Sequence, residues 1–180
     1  GGLFSRGLVW ATGRISPMVQ RYPIRTGLCL GSGLCLLALT TWGTSTGDGE
    51  SLLRQLIQEG MPNGNPDGGY LFVGLSSLWI TAGRVIGPML ALAPGVPGGL
   101  IDPSLTFGGL LGYTICAVLG FSQHLGIALG LAAGLSGATQ LPLVSIVFAW
   151  RLTGDQQLFA GVVFAAVIAA YTSRLIARQP

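Results

Sequence analysis

Residues 104–150 read SLTFGGLLGYTICAVLGFSQHLGIALGLAAGLSGATQLPLVSIVFAW and contain no Asp, Glu, Lys or Arg. A helix needs about 20 apolar residues to cross the hydrocarbon core of a bilayer, so this stretch has room for two crossings. Its turn-forming residues at 120–123 and at 140–142 predict two breaks between helices. We therefore expect an all-α membrane protein, built as a bundle of tilted and partly broken transmembrane helices.

The composition of the whole chain favours the same class of protein. Half of the 180 residues are hydrophobic, 8% are charged, and the mean hydropathy is +0.66. Soluble domains carry about 25% charged residues, so this chain has too little charge to cover a surface that faces water. Its net charge of +3 is small, and no platform of several aromatic residues for stacking bases accompanies the arginines, so nucleic-acid binding is not indicated. We expect a multi-pass integral membrane protein whose surface contacts lipid.

Further segments on both sides of residues 104–150 have their own patterns. We expect a helix near a membrane face in residues 1–25, closed at Ser16-Pro17 and followed by a loop around Tyr22-Pro23. The other expected elements are a span within 26–47, a short amphipathic helix in 48–59, an aqueous loop at 60–69, an apolar segment at 70–92, a polar turn at 151–155 and a last helix at 156–173. Some of the apolar segments are expected to cross only part of the bilayer. Residues 1–180 form a single transmembrane domain in this interpretation.

Glycines recur four residues apart in several apolar segments. Small residues at this spacing let helix backbones approach closely in lipid, where apolar side chains gain nothing by leaving the bilayer. The alternative is simple abundance, since the chain has 30 glycines. Examples of this spacing are Gly83/Gly87, Gly108/Gly112 and Gly126/Gly130/Gly134.

The segment 93–103 (APGVPGGLIDP) interrupts the apolar sequence. Its prolines and glycines exclude a continuous helix, and Asp102-Pro103 predicts the start of a new one. A helix start has free N–H groups and a partial positive charge, which together can hold an anion. The pattern alone leaves two alternatives open, an ion site at a helix start inside the protein or a tight surface loop between two spans.

These residues resemble a known family. Residues 98–103 (GGLIDP) resemble the G-[IL]-F-x-P signature of the CLC family of chloride channels and proton/chloride exchangers. Residues 94–99, 130–157 and 44–49 are similar to neighbouring parts of that family. The resemblance covers most of the chain and corresponds to the C-terminal half of a subunit, which implies half of an inverted-repeat fold. The chain departs from the family pattern at Ile101, Asp102 and Arg151, where Phe, a small apolar residue and Glu are common.

The resemblance implies transport of chloride or a similar anion, held by the backbone N–H groups of Leu100 and Ile101 with Gly99 and Asp102 beside them. It implies no cofactor other than the transported ion. It also implies a homodimer formed through helices near 142–174. The serine motif and gating glutamate of the family are expected before this stretch, and the final helix with the pore tyrosine after it.

The sequence offers no sign of an enzyme or of a metal site. No Ser/His/Asp set, Cys/His spacing or phosphate-binding loop occurs, and Cys29, Cys35 and Cys116 are expected to be packing residues. Arg84 is expected to extend its side chain to the membrane interface, the alternatives being an ion pair with Asp102 or a place in a pore. An interfacial or capping role is expected for His124.

Two other functions remain possible at this point. The chain could be a non-transporting membrane scaffold, such as a degenerate or truncated relative of the family. It could also carry protons or cations on Asp102, because an acidic residue within a membrane is a candidate functional group.

Overall fold

The computed structural model describes residues 1–41, 49, 53–54, 56–57, 70–92, 94, 99 and 101–177, with only the backbone for 70–77. The described residues contain helices and no strand, so the all-α expectation is confirmed. The helices are α1 (Gly2–Arg21), α2 (Pro23–Thr40), α3 (Tyr70–Leu92), α4 (Ile101–Leu119), α5 (Gln123–Thr139), α6 (Pro142–Thr153) and α7 (Phe159–Ala177). The predicted loop at 60–69 lies outside the described residues.

The first two helices are separated by a single residue. The N–H of Tyr22 donates to the carbonyl of Met18 and closes α1, and Pro23 begins α2. The predicted closure at Ser16-Pro17 is wrong, because α1 continues through Pro17. Proline removes one helical hydrogen bond, and the structure tolerates that loss at the exposed side of α1.

Both breaks predicted within residues 104–150 are confirmed. Gly120, with a φ of 74°, ends the turn after α4. Gln140 ends α5 with a φ of 59° and donates its N–H to the carbonyl of Ser136. Pro142 then occupies the start of α6, where its missing N–H has no helical partner to lose.

Two predicted boundaries near the end of the chain are off by about one turn. The polar turn predicted at 151–155 is shorter, because α6 continues to Thr153 and ends at Gly154. The last helix begins at Phe159 and continues past Ser173 to Ala177.

The helices differ in whether they are long enough to cross a bilayer. Among the described residues, three are long and apolar enough to cross a membrane, over Pro23–Thr40, Ile101–Leu119 and Phe159–Ile176. Helix α6 has 12 residues and is about 18 Å long, which is too short for the hydrocarbon core. The length of α6 is consistent with the expectation that some apolar segments cross only part of the bilayer, which stays a prediction.

The core forms where α5 packs against α4, α6 and α7. Leu110 of α4, Leu131 of α5 and Val162 of α7 are almost completely buried there. The predicted amphipathic segment contributes to the same core, since Leu53 and Leu56 are buried and Arg54 is exposed.

The cysteines do not all pack as expected. Cys116 of α4 faces α5, where a Cβ added at Gly126 would lie 2.8 Å from its Sγ. Cys29 and Cys35 are exposed, because no residue of α2 is buried. The packing role predicted for these two residues is not found in the part of the chain that the structure describes.

Candidate functional site

Helix α4 is held against α5 by glycines on both helices. A Cβ added at Gly112 would collide with the carbonyl oxygen of Gly126, and one added at Gly108 would collide with that of Gly130. A Cβ at Gly134 would lie 2.8 Å from the Cα of Gly108. The predicted close approach is confirmed here, and the two backbones touch over more than two turns. Gly83 and Gly87 of α3 are also buried.

Helix α4 is buried by this packing from its fourth residue, Ser104, onward through Leu110. Ser104, Leu105, Thr106 and Phe107 are each at most 3% exposed. The ring of Phe107 also contacts that of Phe4 in α1, with 5.1 Å between the ring centroids. The first turn of α4 extends out of this packed part of the chain, and Val118 and Leu119 at the other end of the helix are exposed as well.

The helix break predicted before α4 is present. Helix α3 ends at Leu92, Pro94 lies in a turn, and α4 begins at Ile101, one residue before the predicted start. Gly99 and Asp102 are exposed and Ile101 is 42% exposed, so these residues lie at the surface of the described chain and not inside it. A Cβ added at Gly99 would meet no atom within 4 Å, which leaves open space beside the backbone.

The candidate ion-binding residues fall on this helix start. Ile101 and Asp102 are the first two residues of α4, and N–H groups in the first turn of a helix have no partner within it. Gly99 precedes them, and Leu100 lies outside the described residues. Asp102 occupies the first turn and not the N-cap, because the helix begins before it. The start of α4 thus combines the N–H groups of Ile101 and Asp102 with one carboxylate at the positive end of the helix, and Pro103 contributes no N–H.

Hydroxyl groups in the first turns of α4 bond within the helix. The Ser104 hydroxyl donates to the carbonyl of Ile101 at 2.8 Å, and the Thr106 hydroxyl donates to that of Asp102 at 2.9 Å. These bonds use carbonyl acceptors, so neither hydroxyl occupies an N–H group of the first turn.

Arg84 does not reach the membrane interface as expected. Its side chain is 3% exposed and lies between α3 and α4. A Cβ at Gly49 would lie 3.1 Å from Nη1 of Arg84 and 3.2 Å from Oγ1 of Thr106, so both groups converge on the same point. The sequence marks Arg84 as an intramembrane charge, but only the packing of α3 on α4 determines that it is buried. An ion pair with Asp102 is not found among the described contacts.

Two hydrogen bonds between helices were not predicted. The Ser136 hydroxyl of α5 donates to the carbonyl of Ala166 at 2.6 Å, and the Ser173 hydroxyl of α7 donates to that of Gly137 at 2.7 Å. Both bonds join α5 to α7. One sequence feature could have predicted the first bond: Ser136 lies between Gly134 and Gly137. Small residues let a second helix approach closely, so that a short hydroxyl side chain can reach its backbone.

His124 lies half-buried in the first turn of α5, and its interfacial or capping role stays a prediction. In the part of the chain that the structure describes, no three His, Cys, Asp or Glu residues form a group that could hold a metal ion.

Comparison with known proteins gives a consistent family. The family model described as voltage gated chloride channel matches residues 1–174. The voltage-gated ClC-type chloride channel ClcB of Salmonella typhimurium is 28% identical over 157 residues, which are 83% of this chain and 34% of that protein. No solved structure gives a significant match.

Shorter matches have slightly higher identity. ClcB of Salmonella dublin is 31% identical over 104 residues, covering 54% of this chain and 25% of that protein. ClcB of Escherichia coli O139:H28 is 33% identical over 92 residues, which are 47% of this chain and 22% of that protein. The matched part of the chain thus spans between 22% and 34% of the length of these relatives. Since the family model matches the chain from α1 into α7 and three helices are long and apolar enough to cross a bilayer, the chain is an integral membrane protein and belongs to the voltage-gated chloride channel family.

Proposed function

We propose that this chain forms part of a pathway that carries chloride or a similar anion across a membrane. In this proposal the backbone N–H groups at the start of α4 hold the ion, with Gly99, Leu100, Ile101 and Asp102 forming the site. The observation that carries the proposal is the start of α4 at Ile101, where an exposed first turn precedes the buried residues 104–110. The relatives are named chloride channels, which supports chloride as the ion.

A site that transports an anion needs a suitable affinity for the ion as well as a positive charge. A helix start carries roughly half a positive charge, so it attracts an anion without the strong hold of a fixed cation. A transport site must bind well enough for the ion to enter and weakly enough for it to leave. Exposed N–H groups beside the open space at Gly99 meet both requirements.

We also infer that the chain assembles as a homodimer through α6 and α7. Leu143 and Val147 of α6 are 78% and 60% exposed, and Phe164 of α7 is 69% exposed. An exposed apolar surface of this kind fits lipid or a second subunit, and the family resemblance at 142–174 favours the subunit for part of it.

The decisive experiment removes one N–H donor without breaking the helix. Proline is compatible with the first position of a helix but has no N–H, so Ile101→Pro deletes a donor at the start of α4. A hydrogen bond to a charged group contributes about 1.5–3 kcal/mol, so we expect chloride flux from liposomes by the full-length protein to fall roughly tenfold or more.

Gln123→Pro is the matched control, because Gln123 is the exposed first residue of α5 and lies far from the proposed site along the chain. Equal flux from both variants and the wild type would contradict the proposed site. No chloride flux from the wild type would favour a scaffold, and flux of protons or cations that depends on Asp102 would favour the cation carrier.

A second prediction concerns the carboxylate of Asp102. If its side chain turns toward the free N–H groups, it competes with the bound anion through the same positive helix end. Asp102→Ala is then expected to tighten anion binding by up to roughly tenfold, measured calorimetrically on reconstituted full-length protein. Unchanged affinity would show that Asp102 only stabilises the helix start.

A further inference from the structure

The corner between α1 and α2 carries two arginines on one aromatic ring. The guanidinium carbons of Arg21 and Arg25 each lie 5.8 Å from the centroid of the Tyr22 ring. This distance is within the range of cation–π attraction, which holds both cations near the ring. All three side chains are exposed, so the corner presents two positive charges to its surroundings.

The backbone of this corner is fixed on both sides. The N–H of Tyr22 donates to the carbonyl of Met18 at 2.9 Å, and its own carbonyl accepts the N–H of Thr26 at 3.1 Å. The Thr26 hydroxyl donates to the same carbonyl. Tyr22 therefore ends one helix and begins the next, and its ring is a rigid support that limits the freedom of the two long side chains.

The position of the corner relative to the bilayer follows from α2. This helix has 18 residues over Pro23–Thr40 and is long and apolar enough to cross the hydrocarbon core. Arg21, Tyr22 and Arg25 lie within one turn of its first residue, so they come at the level of the lipid headgroups. Below them, Ile24 and Leu28 are 77% and 70% exposed and lie one turn apart on α2.

We propose that Arg21, Tyr22 and Arg25 bind the phosphate headgroup of an anionic phospholipid. Guanidinium groups match the oxygens of a phosphate through paired N–H donors, and the Tyr22 ring holds two such groups near one another. The apolar surface of Ile24 and Leu28 continues from the headgroup toward the membrane interior, which fits an acyl chain and distinguishes a lipid from a free phosphate. In the part of the chain that the structure describes, neither arginine forms an ion pair that would occupy it.

The test uses native mass spectrometry of the full-length protein with phosphatidylglycerol and phosphatidylcholine of identical acyl chains. The wild type is expected to retain phosphatidylglycerol preferentially. Each arginine near a membrane surface contributes about fivefold to the binding of anionic lipid, so Arg21→Gln/Arg25→Gln is expected to reduce this preference roughly tenfold or more. Tyr22→Leu removes the supporting ring and is expected to reduce it severalfold.

Arg14→Gln/Arg151→Gln is the matched control, because it removes the same charge from two exposed sites that do not contact the ring. Both double variants change exposed side chains, and equal melting temperatures in detergent would verify that they fold. No preference for phosphatidylglycerol in the wild type, or the same loss in both double variants, would overturn the proposal. Displacement of the bound lipid by millimolar glycerol phosphate would also overturn it, since a free phosphate would then be sufficient.

Discussion

Helices α4 and α2 are both apolar enough to cross a membrane, yet their environments within the chain are opposite. More than half of the spanning segment of α4 is buried, whereas no residue of α2 is buried. Both helices also carry glycines four residues apart, Gly108/Gly112 in α4 and Gly27/Gly31 in α2. Neither hydropathy nor glycine spacing within one helix therefore explains the difference.

The explanation lies in the neighbouring helix. Gly108 and Gly112 meet Gly130 and Gly126 of α5, so that the backbones touch. A Cβ added at Gly27 or Gly31 would meet no atom within 4 Å. Close packing in lipid needs small residues on both partners at matching heights, because a side chain on either one holds the backbones apart.

The largest expected effect comes from placing a methyl group in the α4–α5 contact. Gly112→Ala would drive a Cβ into the carbonyl of Gly126, and neither backbone can move without separating the helices. We expect a loss of about 3 kcal/mol or more in the free energy of unfolding, measured in detergent on the full-length protein.

Gly31→Ala provides the control within the comparison, because its Cβ enters open space. Alanine is a better helix former than glycine, so this variant is expected to be unchanged or stabilised by about 0.5–1 kcal/mol. Similar losses in the free energy of unfolding for Gly112→Ala and Gly31→Ala would show that the α4–α5 contact does not explain the difference between α4 and α2.

A smaller effect is expected for a double variant that tests whether glycines of α4 and α5 share one contact. Gly108→Ala and Gly130→Ala each separate α4 from α5 at the same point, since each Cβ would collide with the other residue's carbonyl. Once the first substitution has moved the helices apart, the second costs less. We expect the double variant to lose at least about 1 kcal/mol less than the sum of the single variants, and strict additivity would contradict a shared contact.

The smallest expected effect concerns the hydroxyl bond between α5 and α7. Ser136→Ala removes the bond to the Ala166 carbonyl and is expected to cost about 0.6–1.7 kcal/mol. Thr172→Ser is the control, because it keeps a hydroxyl that bonds within α7 itself on an exposed surface. If Ser136→Ala lowers the free energy of unfolding no more than Thr172→Ser does, the bond between α5 and α7 does not contribute to stability beyond the packing of small residues.

The sequence predicted the helix breaks well because local chemistry determines them. Pro142 follows Gln140, which takes a left-handed conformation, so the chain turns and the proline begins a helix. Pro17 and Pro88 lie within helices, and Pro88 does so although Gly87 precedes it. Proline therefore predicts a helix boundary poorly unless the preceding backbone leaves the helix, as it does at Gln140.

The sequence predicted the candidate site less completely. The start of α4 was found to within one residue, because proline, glycine and an acidic residue in the first turn are local signals. The burial of Arg84 and the exposure of Ile101 could not be predicted, because they depend on which face of α3 and α4 meets a neighbour. The hydroxyl bonds of Ser136 and Ser173 were missed for the same reason, since both partners lie on another helix.

The most direct test of the anion site is anomalous diffraction from crystals of the full-length protein soaked in bromide. Bromide replaces chloride in size and charge and can be located independently of the protein atoms. We predict an anomalous peak at hydrogen-bond distance from the backbone N–H groups of Ile101 or Asp102, and its loss in Ile101→Pro. A peak elsewhere in the protein, with none at the start of α4, would contradict the proposal that this helix start holds the transported ion.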